Sequence, residues 1–387
     1  MQRPEYLDDI KRYFHSHPIV AILGPRQCGK TTLAKMYAHL QPEFPRSNYF
    51  DLESTVDVER LKNPLLALKP LTGLIVIDEI QRRPELFSIL RVLVDDESLN
   101  QKYLILGSAS RELIKQSSES LAGRIAYMEL TPFSFSETGH IDRLWLRGGF
   151  PKAYLAHTDQ ECFDWLEFYI RTYLEQDIPN LGLRIAPDAL RRFWIMLSHY
   201  HGNILNVSEL GRSFSASDAT IRHYLDILTG TFMVRQLQPW HENISKRQVK
   251  APKIYFRDSG ILHSLMNIRT FLELQVNPKL GASWEGFALE EIVRIHQIRN
   301  QDCYFWSTYG GAEIDLLIYQ SGGLHGFEIK YSDAPKITKS MQIALQDLKL
   351  DQLTVIYPGE VDYALSEQIL VKGLKNYLKG LKNDKKQ

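Results

Sequence analysis

Apolar residues along the first third of the chain come in short unbroken runs. Ile19–Leu23, Gly73–Ile80, Tyr103–Ser108 and a stretch from Arg124 to Leu130 are strand-length runs of the kind buried on both faces in a parallel sheet, with Asn48–Leu52 a shorter candidate. Helical spacing fills the gaps, predicting a short helix over Tyr6–His15 and another over Thr32–Leu40. Gly148-Gly-Phe-Pro151 breaks this pattern, and Glu161–Gln176 and Asp188–Tyr200 then predict two amphipathic helices forming a lid, with Trp165, Phe168, Tyr169 and Tyr173 read as core rather than as base-stacking surface. Asn206-Val-Ser-Glu209 offers a capping box to a helix over Ser208–Phe214. Ser215–Ser217 reads as a turn, and Asp218–Leu228 resumes helical periodicity with Ile221, Leu225 and Leu228 inward. Phe232–Pro239 alternates as a strand, so the segment has the outline of a winged helix. From Ile254 a second α/β pattern begins, with a helix over Trp284–Val293 and strands over Cys303–Trp306, Ala312–Tyr319 and Gly326–Tyr331. The expected fold is α/β and multidomain, divided into a parallel-sheet core (1–150), a helical lid (151–203), a winged helix (204–252) and a C-terminal α/β domain (253–387).

Composition narrows this little. A length of 387 residues suits two or three domains rather than one core. Lys plus Arg and Asp plus Glu each number 46, so no global charge points to a nucleic acid or a membrane, and any such partner must meet a local patch. Three dispersed cysteines, Cys28, Cys162 and Cys303, fit neither a disulfide framework nor a metal site. The N-terminus lacks the apolar core of a signal peptide, and no apolar run reaches the ~18–20 residues of a membrane span. A soluble, cytoplasmic protein without a membrane partner is expected.

The chemistry starts at the end of the first strand. Gly24-Pro25-Arg26-Gln27-Cys28-Gly29-Lys30-Thr31 is a complete G-x-x-x-x-G-K-[ST] phosphate loop, with Thr32 opening the helix behind it. The two glycines let backbone N–H groups turn toward phosphate oxygens at the positive end of that helix. Lys30 is placed to reach the β- and γ-phosphates, and Thr31 to hold Mg²⁺. Asp78, at the carboxyl end of the third strand, would complete the Mg²⁺ shell, and Glu79 would polarise the attacking water. Ser108 ends the fourth strand as a candidate sensor of the γ-phosphate. Arg124 has two readings, an arginine finger or a partner for a local acid. ATP and Mg²⁺ are the expected cofactors, and the absence of any Asn-Lys-x-Asp or Thr-Lys-x-Asp run argues against guanine specificity.

Together, Gly24–Thr32, Leu74–Glu79, Leu104–Ala109, Leu121–Arg124 and Thr131–Glu137 resemble a family of prokaryotic AAA-type ATPases that carry a C-terminal domain of historically unknown function. The resemblance runs over essentially the whole chain. It implies a homo-oligomeric ring, in which Arg124 would act across a subunit boundary.

Farther along, Asp315 and the Glu328-x-Lys330 pair resemble the PD-(D/E)XK nuclease signature, with Glu285 as the additional acid and Gln342 as the polar residue of the following helix. Asp315 and Glu328, on adjacent strands, can share Mg²⁺, and Lys330 falls on the same strand face as Glu328, where it can position water. The signature is degenerate, since Ala-Glu-Ile rather than Pro precedes Asp315, so the fold is better supported than cleavage. In the winged helix, Ser217, Thr220, Arg222 and His223 would face outward, and Lys246, Arg247, Lys250 and Lys253 form a basic cluster suited to phosphates. Winged helices also bind proteins. The lysine-rich tail Lys372–Gln387 reads as a solvated end. The expectation is Mg²⁺-dependent ATP hydrolysis coupled to DNA binding or remodelling, as in a translocase, branch-migration or repair motor, with nuclease activity left open. The alternative is a signalling NTPase switch whose C-terminal domain binds a partner.

Overall fold

The computed structural model describes residues 2–41, 44–108, 119, 121–180, 186–320 and 322–384. Ala109 and the last three residues of the tail, both within stretches singled out above, lie outside that set. The chain forms two compact units, one of Met1–Pro132 with Gly230–Phe232, the other of Phe133–Thr229 with Met233–Gln387.

The first unit is built on five strands, β1 (Ile19–Gly24), β2 (Tyr49–Asp51), β3 (Gly73–Asp78), β4 (Gln101–Ser108) and β5 (Ile125–Glu129). They lie in the order β2-β3-β4-β1-β5 and every pairing is parallel. This is the P-loop type of α/β core, and the unbroken apolar runs have the cause expected of them. β1 is buried along its whole length, because one sheet face packs on Leu61, Leu68, Phe87 and Leu90 and the other on Ile10, Phe14, Leu33 and Tyr37. Parallel pairing also brings the carboxyl ends of β1, β3 and β4 to one edge, where loops can gather chemistry. The helix before β1 runs Pro4–Ser16, with Pro in its first turn and Ile10 and Phe14 as its inward stripe.

The second unit holds a mixed sheet of nine strands: β6 (Asn203–Ile204), β7 (Val234–Pro239), β8 (Lys253–Phe256), β9 (Cys303–Ser307), β10 (Glu313–Gln320), β11 (Gly323–Ile329), β12 (Leu353–Tyr357), β13 (Tyr363–Ala364) and β14 (Ile369–Gly373). Their order is β13-β14-β12-β11-β10-β9-β7-β8-β6. The segment read as a wing runs here as β7, an interior strand pairing antiparallel with β8 and parallel with β9. Its Val234, Arg235 and Leu237 are buried, so the apparent alternation of that stretch does not mark a solvent-facing ribbon.

Ahead of β7, helices over Asp159–Thr172, Pro187–His199, Val207–Phe214 and Asp218–Gly230 share one core with Trp194, Phe193, Ile221, Leu225 and Leu228 at its centre. Thr158 and Glu161 close a reciprocal capping box on the first of these, and Asn206 caps the third by accepting from the Glu209 N–H. Of the aromatics expected in this core, Tyr169 and Tyr173 are buried and Trp165 is partly so. Phe168 is the exception at 66% exposure, since it falls on the opposite face of its helix. The three cysteines are buried free thiols, and burial pushes Cys162 up to about 12 and Cys303 to about 11. No helix among the described residues is long and apolar enough to cross a membrane.

Candidate functional site

The phosphate loop lies between β1 and the helix Lys30–His39. Gly24 has no room for a side chain, because a Cβ there would come within 2.2 Å of the Leu130 carbonyl oxygen. Gly29 takes φ 103° at the helix N-cap and Gln27 takes φ 61°, so the loop makes its tight turn through left-handed backbone. Pro25 and Cys28 are buried, Arg26 and Gly29 are half-buried, and Gln27 and Thr32 are exposed. The thiol of Cys28 points inward to the Leu130 carbonyl, and burial raises its pKa.

Lys30 is 5% exposed, and its ammonium donates to the carbonyls of Gly24 at 3.0 Å and Pro25 at 2.9 Å. These contacts hold it folded over the loop, next to the space the loop encloses. Thr31 Oγ1 donates to Asp78 Oδ2 at 2.7 Å, which joins the two residues expected to hold the cation. Asp78 is 3% exposed, and its carboxylate also accepts from Tyr49 at 2.9 Å and from the Glu79 N–H at 3.0 Å. All three of these neighbours are neutral donors, so the charge of Asp78 has no basic side chain bound to it and the set fits a divalent cation. Burial, and then the charge of Asp78, keep the Tyr49 phenol protonated by raising its pKa far above the usual value.

Glu79 leaves the strand with φ 56°, in left-handed backbone. Its carboxylate accepts from the Gln81 amide, and Ser108 Oγ lies 3.5 Å from it. Gln81 Nε2 is also 2.9 Å from Ser108 Oγ, so Gln81, Glu79 and Ser108 form one polar group across the ends of β3 and β4.

Three participants escaped sequence reasoning. Tyr49 sits at the start of β2, where nothing local announces contact with β3. Gln81 lies in the single 3₁₀ turn after the acidic pair. Arg3 precedes the first helix, yet it is 5% exposed and clamps the loop, donating to the carbonyls of Cys28 at 3.3 Å and Thr131 at 3.0 Å. Arg124 is found in a two-pronged ion pair with Asp95, at 2.5 and 2.9 Å, which holds the Asp95 carboxyl below its ordinary range.

A second cluster lies in the other unit. Asp315 Oδ2 accepts from the Ile329 N–H at 2.8 Å, and Glu328 Oε1 lies 2.6 Å from Lys330 Nζ. Glu285, on the helix Leu280–His296, accepts from the Tyr255 hydroxyl at 2.5 Å. Gln342 is exposed on the helix Lys339–Asp347, next to the buried Met341. Thus the spacing reading brings Glu285, Asp315, Glu328 and Lys330 toward one place.

One residue there was expected elsewhere. Lys253, assigned above to a basic surface cluster, is 2% exposed, and its ammonium lies against Glu313, 3.4 Å from Glu285 and 3.6 Å from Asp315. It opens β8, whose four residues are all buried, so its side chain follows the apolar face of that strand into the protein. Burial pushes Glu285 up to about 7 and Glu328 to about 8, with Asp315 adding to both. Among the described residues no three His, Cys, Asp or Glu side chains are grouped so as to hold a metal ion. The two acidic places differ in what their carboxylates meet: here each faces an ammonium, whereas the contacts given for Asp78 are all from neutral donors.

The remaining members of the basic cluster are partly engaged. Lys246 is paired with Asp347 at 2.7 and 2.9 Å, and Arg247 lies over the Tyr309 ring at 4.5 Å. Lys250, Arg222 and His223 are exposed.

Three family models match successive stretches of the chain. Residues 16–139 match the AAA domain family, 138–272 a domain of unknown function (DUF8612), and 280–377 another domain of unknown function (DUF4143). Among solved structures, the Walker-type ATPase PABY2304 of Pyrococcus abyssi aligns at TM-score 0.46 and 15% identity, over 68% of this chain and 95% of that one. A Thermotoga maritima RuvB variant aligns at TM-score 0.27 and 18% identity, over 59% of this chain and 85% of that one. The uncharacterized proteins Rv2008c of Mycobacterium tuberculosis and Mb2031c of Mycobacterium bovis are each 46% identical to this chain over 372 residues, 96% of this chain and 83% of theirs. With an AAA domain near its start and a DUF4143 domain at its end, this chain belongs to the family of those two mycobacterial proteins.

Proposed function

We propose that the protein binds MgATP in the loop Gly24–Thr32 and hydrolyses it, and that turnover is coupled to a DNA partner held by the second unit. The observation that carries the ATPase reading is the 2.7 Å contact between Thr31 Oγ1 and Asp78 Oδ2, with the Lys30 ammonium folded over the same loop. Backbone N–H groups of the loop would cradle the phosphates at the N-terminus of the helix Lys30–His39. Lys30 would exchange two carbonyl acceptors for β- and γ-phosphate oxygens, a stronger charge-assisted contact that neutralises the leaving group. A Mg²⁺ ion held by Thr31 and Asp78 would draw charge from the β- and γ-oxygens. Glu79 would accept a hydrogen bond from the attacking water and take its proton, with Gln81 and Ser108 fixing the direction of the carboxylate.

DNA as the partner is supported by the exposed Arg222 and His223 on the helix Asp218–Gly230 and by the exposed Lys250. The proposal does not extend to phosphodiester cleavage, since Lys253 faces the carboxylates that would have to hold a second cation.

The test is ATP turnover by purified protein with and without single-stranded, duplex and branched DNA, beside a K30A control. The expected result is turnover that K30A abolishes and that DNA raises. No turnover under any condition overturns the ATPase reading. Turnover indifferent to every DNA, with no DNA bound at low salt, overturns the coupling and favours a nucleotide switch that acts on a protein partner.

A further inference from the structure

The cluster around Asp315 has the residues of a cation site, yet each of its carboxylates already faces an ammonium. Asp315 Oδ2 is held by the Ile329 N–H at 2.8 Å and Oδ1 faces Lys253 at 3.6 Å. Glu328 Oε1 is held by Lys330 at 2.6 Å, which leaves Oε2 as the buried oxygen of this pair without a hydrogen-bond partner. A divalent cation of the Mg²⁺ class needs about six oxygens in near-octahedral array, several of them from water. Here Glu328 Oε1 is taken by the Lys330 ammonium, and oxygens of Glu285, Glu313 and Asp315 face a second ammonium, that of Lys253.

That ammonium is built in. Carboxylate oxygens of Glu285, Glu313 and Asp315 all lie within 3.6 Å of Lys253 Nζ. Its backbone is fixed from both sides, paired with Leu237 of β7 and with Ile204 of β6. Its side chain passes the Phe305 ring, with Nζ 5.6 Å from the ring centre. The residue itself is 2% exposed, although its partner Glu313 is partly open to solvent.

We infer that the Lys253 ammonium is the permanent cation of this carboxylate site, and that the C-terminal domain therefore neither takes a divalent metal there nor cleaves nucleic acid with one. The nuclease-like arrangement of Asp315, Glu328 and Lys330 is kept as a braced core in which the Lys253 ammonium occupies carboxylates that a metal-dependent enzyme would turn to its ion. This inference concerns the second unit alone and is independent of the ATPase reading.

The test is Mn²⁺ binding, read by electron paramagnetic resonance on nucleotide-free full-length protein. Wild type and D315N are expected to bind Mn²⁺ identically. K253M, an apolar residue of similar length, is expected to raise Mn²⁺ affinity on the order of 100-fold by removing a unit charge from beside the ion, and K253M/D315N to lose that gain. A Mn²⁺ ion bound by wild type and lost in D315N overturns the inference, as does a divalent-dependent nicking activity with the same sensitivity. A folded K253M that gains no Mn²⁺ affinity overturns it as well, because lysine would then not be what excludes the ion. If K253M does not fold, the comparison of wild type with D315N decides alone.

Discussion

Replacing Glu79 by Gln separates holding ATP from cutting it, and the geometry sets the size of the effect. Asp78 keeps its contacts to Thr31 at 2.7 Å and Tyr49 at 2.9 Å in this variant, so nucleotide affinity should change less than threefold or so. The lost group is the base that receives the proton of water, and such groups contribute roughly 10²–10⁴ in rate. That corresponds to about 3–5 kcal/mol of barrier. Gln81 gives an internal calibration, since its amide bridges the Glu79 carboxylate and Ser108 Oγ, the latter at 2.9 Å. Removing one such hydrogen bond by Q81A loosens the base without deleting it, at about 1 kcal/mol, or roughly fivefold in kcat with KM little altered. Single-turnover hydrolysis with radiolabelled ATP, together with a fluorescent-nucleotide titration, reads both quantities. An E79Q protein that hydrolyses within tenfold of the parent while binding ATP normally would refute the assignment of Glu79. A Q81A protein indistinguishable from the parent would refute the positioning role of Gln81.

Two predictions concern the stability of the second unit. Burial depresses His201 to about 3 and His263 to about 4; His201 Nδ1 is bonded to the Phe256 N–H, and His263 is held between the Leu146 carbonyl and Ser283 Oγ. The unfolded chain thus binds protons that the folded one does not, and stability present above pH ~6.5 is lost as pH falls toward 4. Urea midpoints between pH 7 and pH 4 should decline, and H263N should shrink the slope; a slope unchanged in H263N would contradict this. Glu290 is paired in the interior with Arg235, at 2.5 and 3.0 Å, and with Arg257 at 3.5 Å, and these arginines overcome its burial to hold it down at about 2. E290Q leaves two buried guanidinium groups short of charge and should destabilise by about 3–5 kcal/mol, measurable by denaturant unfolding, whereas a loss below about 1 kcal/mol would show the pair to be dispensable.

What could be read from the sequence was whatever is encoded in short spacing. The phosphate loop, the apolar runs of β1, β3 and β4, and the acids that close β3 are neighbours in the chain as well as in the fold, and one principle each suffices to interpret them. Boundaries of β1, β3 and β4 moved by two residues at most, whereas the helix expected over Trp284–Val293 runs Leu280–His296, up to four residues longer at an end. Residues that reach a site from distant elements carried no local mark. Arg3 and Tyr49 look like any surface arginine and strand tyrosine, and their roles depend on the parallel register that brings β2 against β3 and on the approach of Thr131 to the loop. Phe168 erred the other way, since an aromatic on an amphipathic helix was read as core and its 66% exposure follows from a helical phase that aromatic content does not fix.

Lys253 shows where reading charge from sequence fails. With Lys246, Arg247 and Lys250 it belongs to a run of cations, and runs of cations usually face water. The available counter-signal was that Lys253-Ile-Tyr-Phe256 heads an apolar strand, and a strand buried on both faces buries its first residue too. The consequence is a contrast between two acids that the sequence presents alike, each an aspartate set in an apolar strand. Asp78 meets two hydroxyls and a backbone N–H, all neutral, so its negative charge would be left for the cation that the proposed function brings with the nucleotide. Asp315 faces an ammonium that the fold supplies and shares among three carboxylates, a cation that cannot leave. A reversible cycle needs the first arrangement. The second suits a scaffold, and this difference, more than the identity of the acids, argues that turnover in this protein belongs to the unit that carries the phosphate loop.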